Sequence, residues 1–201
     1  MTNVRKIIVA ALFLLPSSAF AHEYGTPGTI ELGGFFAATS QSDKIKNGSK
    51  TDITIFQVTP EVGYYVSEGL VLIGQLPLEA GNLKDDQGSK ASITQFGVGV
   101  GGGYFMHAGI AHVGPTLVAH YKSNSFKFDL GGGSTTVAEN SPGAEIGLRA
   151  NVPVGQGGLI TAGLLFDYDS IDQKISGGGF SQKASGSGTS FGTAVGVLIF
   201  F

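Results

Sequence analysis

The sequence predicts an all-β protein, an eight-stranded antiparallel up-and-down β-barrel that crosses a membrane with its strands. Three observations predict this fold. Charged residues make up 13% of the 201 residues, about half of the roughly 25% found in soluble domains. Apolar and polar residues alternate along eight separate segments, as in strands with one apolar face. Each segment has about 11 to 14 residues, enough for a tilted strand to cross a bilayer.

The composition excludes several other classes of protein. The chain has 33 glycines, no cysteine and no tryptophan. The glycines follow no triplet period, which excludes collagen, and a hydrophobic fraction of 42% excludes intrinsic disorder. The lack of cysteine excludes disulfide scaffolds, thiolate zinc sites and cysteine nucleophiles.

Residues 1–21 are expected to be a cleaved signal peptide. Arg5 and Lys6 give this segment a positive start. The apolar run that follows has about nine residues, too short for a helix that crosses a bilayer, which needs about 20. Ala19 and Ala21 supply the small residues of a cleavage site.

Cleavage there leaves one expected domain, residues 22–201. Loss of Arg5 and Lys6 reduces the 12 basic residues to ten, against 15 acidic residues, so the formal charge becomes −5. This acidic balance excludes a nucleic-acid partner, which requires a basic face on the protein. Secretion of a cysteine-free chain is more typical of a bacterial envelope protein than of an animal extracellular protein.

Period-two alternation places the strands one after another along the mature chain. In the sixth segment, for example, Ile146 and Leu148 share the apolar face, whereas Glu145 and Arg149 share the polar face. Eight is an even number and the smallest that closes a membrane barrel. We place the strands near residues 29–39, 53–66, 70–80, 93–105, 110–122, 144–154, 159–169 and 189–201.

The connections between these strands alternate between short and long. Outer-membrane barrels have short periplasmic turns and long external loops. The lysines that follow residue 21 all lie in the long connections, apart from Lys122 at the end of a strand. Short turns are expected near residues 67–69, 106–109 and 155–158, and long polar loops near residues 40–51, 81–92, 123–143 and 170–188.

Aromatic residues on the apolar faces gather near the two ends of the strands, where they would form the girdles at the two membrane interfaces. A soluble barrel would turn its apolar faces inward. Here that arrangement would leave rows of valine, leucine and phenylalanine in water. One girdle would contain Tyr64, Tyr104 and Phe201, and the other Phe36, Phe56, Phe96, Tyr121, Phe166, Tyr168 and Phe191.

Two stretches carry a family resemblance. Residues 58–74 read Val-Thr-Pro-Glu-Val-Gly-Tyr-Tyr-Val-Ser-Glu-Gly-Leu-Val-Leu-Ile-Gly, and the chain ends with Gly196, Ile199 and Phe201 at the spacing of a barrel-assembly signal, with Ala194 in its polar position. In these stretches, and in pattern over the whole mature chain, the protein resembles the small outer-membrane β-barrel family, the "outer membrane protein β-barrel domain" type related to OmpX and the OmpA barrel. The resemblance implies a location in the bacterial outer membrane and insertion by the barrel-assembly machinery.

The interior of an eight-stranded barrel is just wide enough to be filled by side chains. Buried charges must be paired, so we expect Arg149 to anchor a polar network with the acidic residues and His112. A proton path or a narrow pore is the alternative. The residues expected to face inward are Glu31, Gln57, Glu61, Gln75, Glu79, Gln95, His112, Glu145, Arg149 and Asp167.

Two patterns that suggest ligand sites fail in their context. Residues 97–102 fit G-x-G-x-x-G, but they lie inside a strand and open no helix, so they predict no dinucleotide site. His107, His112 and His120 are too scattered to predict a zinc site. We therefore expect neither a cofactor nor a metal.

One short run points to an enzyme. His120-Tyr121-Lys122-Ser123-Asn124 resembles the His-x-Ser-Asn run of outer-membrane lipid A deacylases. In this chain Ser123 is three residues after His120, so the two side chains point to opposite faces of a regular strand. Only a bulge at Lys122 would bring them within the roughly 2.6 to 3.2 Å that a nucleophile and its base require.

We therefore expect a non-enzymatic outer-membrane barrel, a monomer embedded in outer-membrane lipid, that presents four Gly/Ser/Lys-rich loops to the outside. The loop lysines could bind lipopolysaccharide phosphates, and adhesion, resistance to host factors and membrane integrity all fit such loops. The first alternative is a small porin-like channel, and the second is an enzyme that modifies lipid A. The sequence does not identify an extracellular ligand of the loops.

Overall fold

The architecture comes from a computed structural model. Within the part of the chain that it describes, no helix is long and apolar enough to span a membrane. The expected signal peptide, residues 1–21, lies outside the described residues. The structure describes residues 24–44, 50–85, 90–129, 134–177 and 180–201.

The described residues form a single antiparallel sheet that closes on itself. The strands are β1 (Ile30–Lys44), β2 (Lys50–Ser67), β3 (Leu70–Gln75), β4 (Leu78–Asp85), β5 (Lys90–Tyr104), β6 (Met106–Ala108), β7 (Ala111–Asp129), β8 (Ser134–Val154), β9 (Gly158–Gly177) and β10 (Phe180–Phe200). β3 and β4 together form one stave, that is, one of the eight strand positions in the barrel wall, and so do β5 and β6. Each stave pairs with the staves before and after it in the chain, and β1 pairs with β10, so the prediction of an eight-stranded up-and-down barrel is confirmed.

The break between β3 and β4 falls at Pro77, because proline has no N–H to donate to the ladder. The surrounding bonds persist: Leu76 N–H donates to the Pro60 carbonyl at 2.9 Å, and Gly97 N–H donates to the Pro77 carbonyl at 2.8 Å. The register with β2 is the same on both sides of the break. The proline therefore interrupts the strand without shifting it.

One end of the barrel, which we call the base end, holds the C-terminus and three tight turns. Phe201 and Ile30 exchange two backbone hydrogen bonds there, of 2.9 and 3.0 Å. The turn from β2 to β3 requires Gly69, whose φ is 72° and whose Cβ, if it had one, would collide with the Phe105 carbonyl oxygen. We call the opposite end the rim end.

The prediction of long loops at the rim end is wrong. Paired strands occupy most of those stretches, since β1 runs to Lys44, β4 to Asp85, β7 to Asp129 and β9 to Gly177. Residues 45–49, 86–89, 130–133 and 178–179 lie outside the described residues. Apolar–polar alternation predicts strands that are too short, because it reveals only the part of a strand that has one apolar face. Above a membrane both faces of a hairpin meet water, so the backbone ladder continues through Gly, Ser, Asn and Lys without an apolar alternation.

The outer face of the barrel is apolar. Valines, leucines and isoleucines on this face are commonly 40 to 60% exposed, which in a soluble protein would form an untenable apolar surface. In the hydrocarbon core of a bilayer these apolar side chains are not exposed to water. All ten aromatic residues expected in the girdles are exposed on this face: Phe36, Phe56, Tyr64, Phe96, Tyr104, Tyr121, Phe166, Tyr168, Phe191 and Phe201.

The packed core lies inside the barrel, toward the base end. It combines apolar side chains from most of the staves with one residue, Tyr24, from the segment before β1. Its members are Tyr24, Tyr65, Val71, Ile73, Phe105, Val118, Leu159 and Leu198, with Phe200 packed against them.

The seam between β1 and β10 is the shortest contact in the wall. It has six residue pairs, from Glu31 with Phe200 to Phe36 with Val195. By comparison, β1 and β2 form 15 pairs, and β9 and β10 form 20. Among the described residues, β1 and β10 continue past Phe36 and Val195 without pairing to each other.

Candidate functional site in the barrel interior

The lowest polar layer closes the base end. Tyr24 is 6% exposed, and its hydroxyl accepts hydrogen bonds of 2.6 Å from both Tyr65 and Asn151 and donates to Glu31 at 3.2 Å. Burial, reinforced by the Glu31 carboxylate, raises the pKa of the Tyr24 hydroxyl, so this group stays protonated and able to donate. The segment is fixed by a backbone bond of 2.8 Å from Gly28 N–H to the Tyr65 carbonyl.

The middle layer is a buried ion pair. Arg149 Nη1 lies 2.8 Å from both carboxylate oxygens of Glu61, and the two side chains are 2% and 0% exposed. Gln75 donates to Glu61 at 2.6 Å, and the Arg149 guanidinium lies 4.5 Å from the centre of the Phe35 ring. Glu145 is a looser neighbour at 3.7 Å from Nη2. The buried Glu61 carboxylate is therefore well satisfied, as a charge without water must be, whereas Arg149 Nε and Nη2 have no hydrogen-bond partner among the described residues.

A second ion cluster lies nearer the rim end. The Lys122 ammonium donates to Asp167 and, at 3.2 Å, to Asp169. His120 Nε2 lies 2.9 Å from Asp169 and 3.4 Å from Asp167. The two aspartate side chains are 16% and 23% exposed, so this cluster is wetter than the Arg149 pair.

Glu139 centres a further polar group at the rim end. It accepts hydrogen bonds from Asn124 at 2.8 Å, Ser141 at 3.0 Å and Gln173 at 2.7 Å. The polar interior therefore consists of stacked clusters, each with its own partners, rather than one continuous network.

The structure divides the network expected around Arg149 among these clusters. Arg149 contacts Glu61 and Glu145, while Asp167 contacts Lys122 and Glu31 contacts Tyr24. The remaining members are placed separately: Glu79 is half-buried, and the His112 ring packs edge-on against Tyr24 and His107 at 4.8 and 5.0 Å between centroids.

Several contributors are absent from the set of inward residues expected from the sequence: Tyr24, Tyr65, Lys122, Asn151, Asp169, and Glu139 with its partners Asn124, Ser141 and Gln173. Tyr24 precedes the first strand, so its position had no periodic signal. Asp169 and Lys122 are the last residues of the predicted strands 159–169 and 110–122. Asp169 is two residues after Asp167 and Lys122 two after His120, so the period-two alternation already placed both on the inner face.

The spacing of His120, Asp167 and Asp169 is one that a metal could use, since one donor atom from each lies within 4.8 Å of the others. The Lys122 ammonium contacts both carboxylates and offsets one of their two negative charges. A cation of the chain itself therefore already lies between the aspartates.

The deacylase-like run does not form a catalytic pair. β7 pairs without a register shift on both sides of Lys122, with Gly97 and with Ser141, so the bulge that would be needed is not there. His120 faces inward with 4% of its side chain exposed, while Ser123 is exposed on the outer face.

A cavity of about 160 Å³ lies beside the two ion clusters. Polar side chains form its inner wall, and residues of β1 and β10 form its outer boundary, at the level where these strands separate. The inner wall includes Gln57, Thr59, Gln75, Glu145, Arg149 and Asp167.

These features agree with the comparison to known families. The family model described as "Outer membrane protein beta-barrel domain" matches residues 7–155. The chain belongs to this family. Its place is the bacterial outer membrane. A search of curated proteins found no match.

Solved structures show the same fold at low sequence identity. The outer membrane protein OprG from Pseudomonas aeruginosa is 16% identical, with 88% of this chain and 97% of that chain covered and a TM-score of 0.61. A major outer membrane protein from Thermus thermophilus is 13% identical, with 87% and 99% covered and a TM-score of 0.53.

Proposed function

We propose that this member of the outer-membrane β-barrel family is a non-enzymatic, non-conducting barrel that acts through the part of its wall that projects outside the cell. In outer-membrane barrels the short turns face the periplasm, so the base end is assigned to the periplasm and the rim end to the exterior. The hairpins of the rim end then replace the long loops that the sequence suggested as the exposed surface.

The observation that carries the proposal is that two layers of buried side chains close the half of the barrel near the base end. The Tyr24 cluster connects β2 to β8 across the interior, through Tyr65 and Asn151. The Arg149–Glu61 pair connects the same two strands above it, and both layers are buried. An eight-stranded barrel has little width beyond its own side chains. A hydrated ion would have to break these hydrogen bonds to pass.

The position of the lysines supports a role at the surface. Five lysines of the rim hairpins are exposed: Lys84, Lys90, Lys127, Lys174 and Lys183. Ammonium groups at this height match the phosphates of lipopolysaccharide in charge and hydrogen bonding. Lipopolysaccharide is therefore the partner we propose, with an external protein or host factor as a further occupant of the same surface.

Conductance in planar lipid bilayers tests the closure. We expect no single-channel steps from the parent protein and discrete steps from the triple variant Tyr24→Ala/Glu61→Ala/Arg149→Ala, because these changes remove side chains from both closing layers. Tyr121→Ala is the matched control, since Tyr121 is on the lipid-facing side. This variant should show no single-channel steps. Steps from the parent would favour the channel instead.

Mass spectrometry of lipid A tests the absence of enzymatic action. Cells that overproduce the protein should show the same lipid A masses as cells that carry the empty vector. A loss of acyl-chain mass that disappears in His120→Ala would overturn the non-enzymatic proposal.

A further inference from the structure

The unpaired part of the β1–β10 seam makes an opening in the side of the barrel. β1 continues to Lys44 and β10 begins at Phe180, yet they pair only from Phe36 and Val195 toward the base end. Beyond that point residues 181–187 and 189–193 of β10 are all exposed, whichever way they point. A closed wall would cover the inward-pointing half of them.

The opening begins at the height of the outer aromatic girdle. Phe36 lies at the last pair of the seam, and Phe191 is four residues beyond Val195 on β10. They are 44% and 72% exposed. Unpaired backbone is unfavourable within hydrocarbon but tolerable at the polar interface, so this is where a side opening can be stable.

The cavity described above lies directly behind this opening. Phe36 and Ala37 of β1, together with Phe191, Gly192 and Ala194 of β10, contribute to its lining. Ser190 and Thr193 of β10 add two hydroxyl groups, but in the part of the chain that the structure describes this outer boundary carries no charged or amide side chain, in contrast to the inner wall. A molecule that spans both would be polar at one end and apolar at the other.

The charges of the inner wall select the polar end of such a molecule. Glu145 Oε1 and Asp167 Oδ1 are buried and accept no hydrogen bond from the described residues. Arg149 is engaged by Glu61, and Lys122 binds the other oxygen of Asp167. Arg149 Nε and Nη2 also lack a hydrogen-bond partner among the described residues, so hydrogen bonding alone selects no charge. The balance of charge does, because four carboxylates share three basic side chains here, which favours a positively charged group with N–H donors. The carboxylates are those of Glu61, Glu145, Asp167 and Asp169, and the basic side chains are Arg149, Lys122 and His120.

We propose that the β1–β10 opening is a lateral docking site for a membrane amphiphile with an ammonium head group. The head group enters the cavity beside Glu145 and Asp167, while the alkyl chain stays in the membrane against Phe36 and Phe191. A volume of about 160 Å³ equals that of about five water molecules, which suits a small head group and excludes a sugar-bearing one. This site does not depend on the barrel being closed to ions.

A single tryptophan can report on binding, because the chain has none of its own. The Phe191→Trp protein is reconstituted in phosphatidylcholine vesicles and titrated with dodecylammonium or dodecyl sulfate, each brominated on the chain. We expect saturable quenching by the ammonium compound, half-complete at a concentration about tenfold lower than for the sulfate. Phe96→Trp, on a wall with paired strands, should show unsaturable quenching by both.

Two glycines of β10 allow a matched blocking experiment. A Cβ added at Gly192 or at Gly186 would meet no atom within 4 Å, so both positions accept a larger side chain. Gly192→Phe fills the cavity mouth, whereas Gly186→Phe lies on the same strand beyond it. In the Phe191→Trp protein, Gly192→Phe should abolish saturable quenching, and Gly186→Phe should preserve it.

The charge requirement is tested with Glu145→Gln, which keeps the shape of the side chain. Its expected effect is loss of most of the preference for ammonium over sulfate. The proposal is overturned by equal quenching with both head groups, by unsaturable quenching at residue 191, or by binding that survives Gly192→Phe, since the last result would mean entry through the rim end. Heat-modifiable migration on gels confirms that each variant is folded.

Discussion

In the half of the barrel near the base end, all neighbouring staves are hydrogen-bonded, and the polar groups inside are almost fully buried. In the half near the rim end, β1 and β10 separate, and the ion cluster around Lys122 is partly exposed. The same strands run through both halves. The seam between β1 and β10 is thus paired at the end where Tyr24 and the apolar core fill the interior, and it is unpaired toward the rim end.

The two ion clusters illustrate the consequence for stability. Arg149 and Glu61 are enclosed, so removal of one partner leaves a charge with no water to replace it. Lys122 and its aspartates retain access to solvent, which compensates a lost partner. Perturbations of the base half should therefore be much more costly than equivalent perturbations of the rim half.

Deletion of Phe201 should have the largest effect. It removes the residue that exchanges two backbone bonds with Ile30 and that ends the expected assembly signal. We expect outer-membrane levels to fall severely while export across the inner membrane continues, measured by cell fractionation. Phe191→Ala, an aromatic loss in the rim half, is the control and should insert normally. Normal levels of the deletion variant would show that the signal lies elsewhere.

Arg149→Met should destabilise the folded barrel by about 3–5 kcal/mol, because Glu61 stays buried without its partner. The free energy of unfolding is measured by urea titration in lipid vesicles. The double variant Arg149→Met/Glu61→Gln should recover much of the loss. Lys122→Met, the equivalent change in the rim half, should cost clearly less, because the side chains of Lys122, Asp167 and Asp169 are 13%, 16% and 23% exposed and keep some contact with solvent. Similar costs for Arg149→Met and Lys122→Met would refute the contrast between the halves.

Val98→Arg should cost about 2–4 kcal/mol, since it places a cation on the lipid-facing wall. Val98 is 47% exposed on that face, whereas Gln95 in the same strand points inward. Gln95→Arg should therefore be much milder in the same titration. Equal costs would place the strand in the other register, with its faces exchanged.

Tyr24→Phe should cost about 1–3 kcal/mol, because Asn151 and Glu31 lose a buried hydrogen-bond partner. The substitution should also change how the free energy of unfolding depends on pH at alkaline values. A raised pKa in the folded state means that the hydroxyl contributes stability below about pH 10, its unfolded value, and that this contribution is lost as pH rises further. The variant should lose less stability above that pH than the parent, as judged by urea midpoints.

Much of the fold was predictable because alternation is a local property. The inward positions of Glu61, Gln75 and Arg149, and the outward positions of the aromatic girdles, follow from counting residues along one strand. The position of Tyr24 was not predictable in this way, since a segment before the first strand has no period. The length of the rim hairpins was not predictable either, because strands whose two faces both meet water have no apolar pattern.

The sequence by itself determined the number of staves, their order and the face on which each side chain lies. Only the tertiary structure decided which charges meet and where the wall opens. Arg149 and its partner Glu61 are 88 residues apart, and their meeting depends on the stagger accumulated over every strand pair between them. The incomplete β1–β10 seam likewise joins the two ends of the sheet, so it reflects the curvature and filling of the whole ring rather than any segment of the chain.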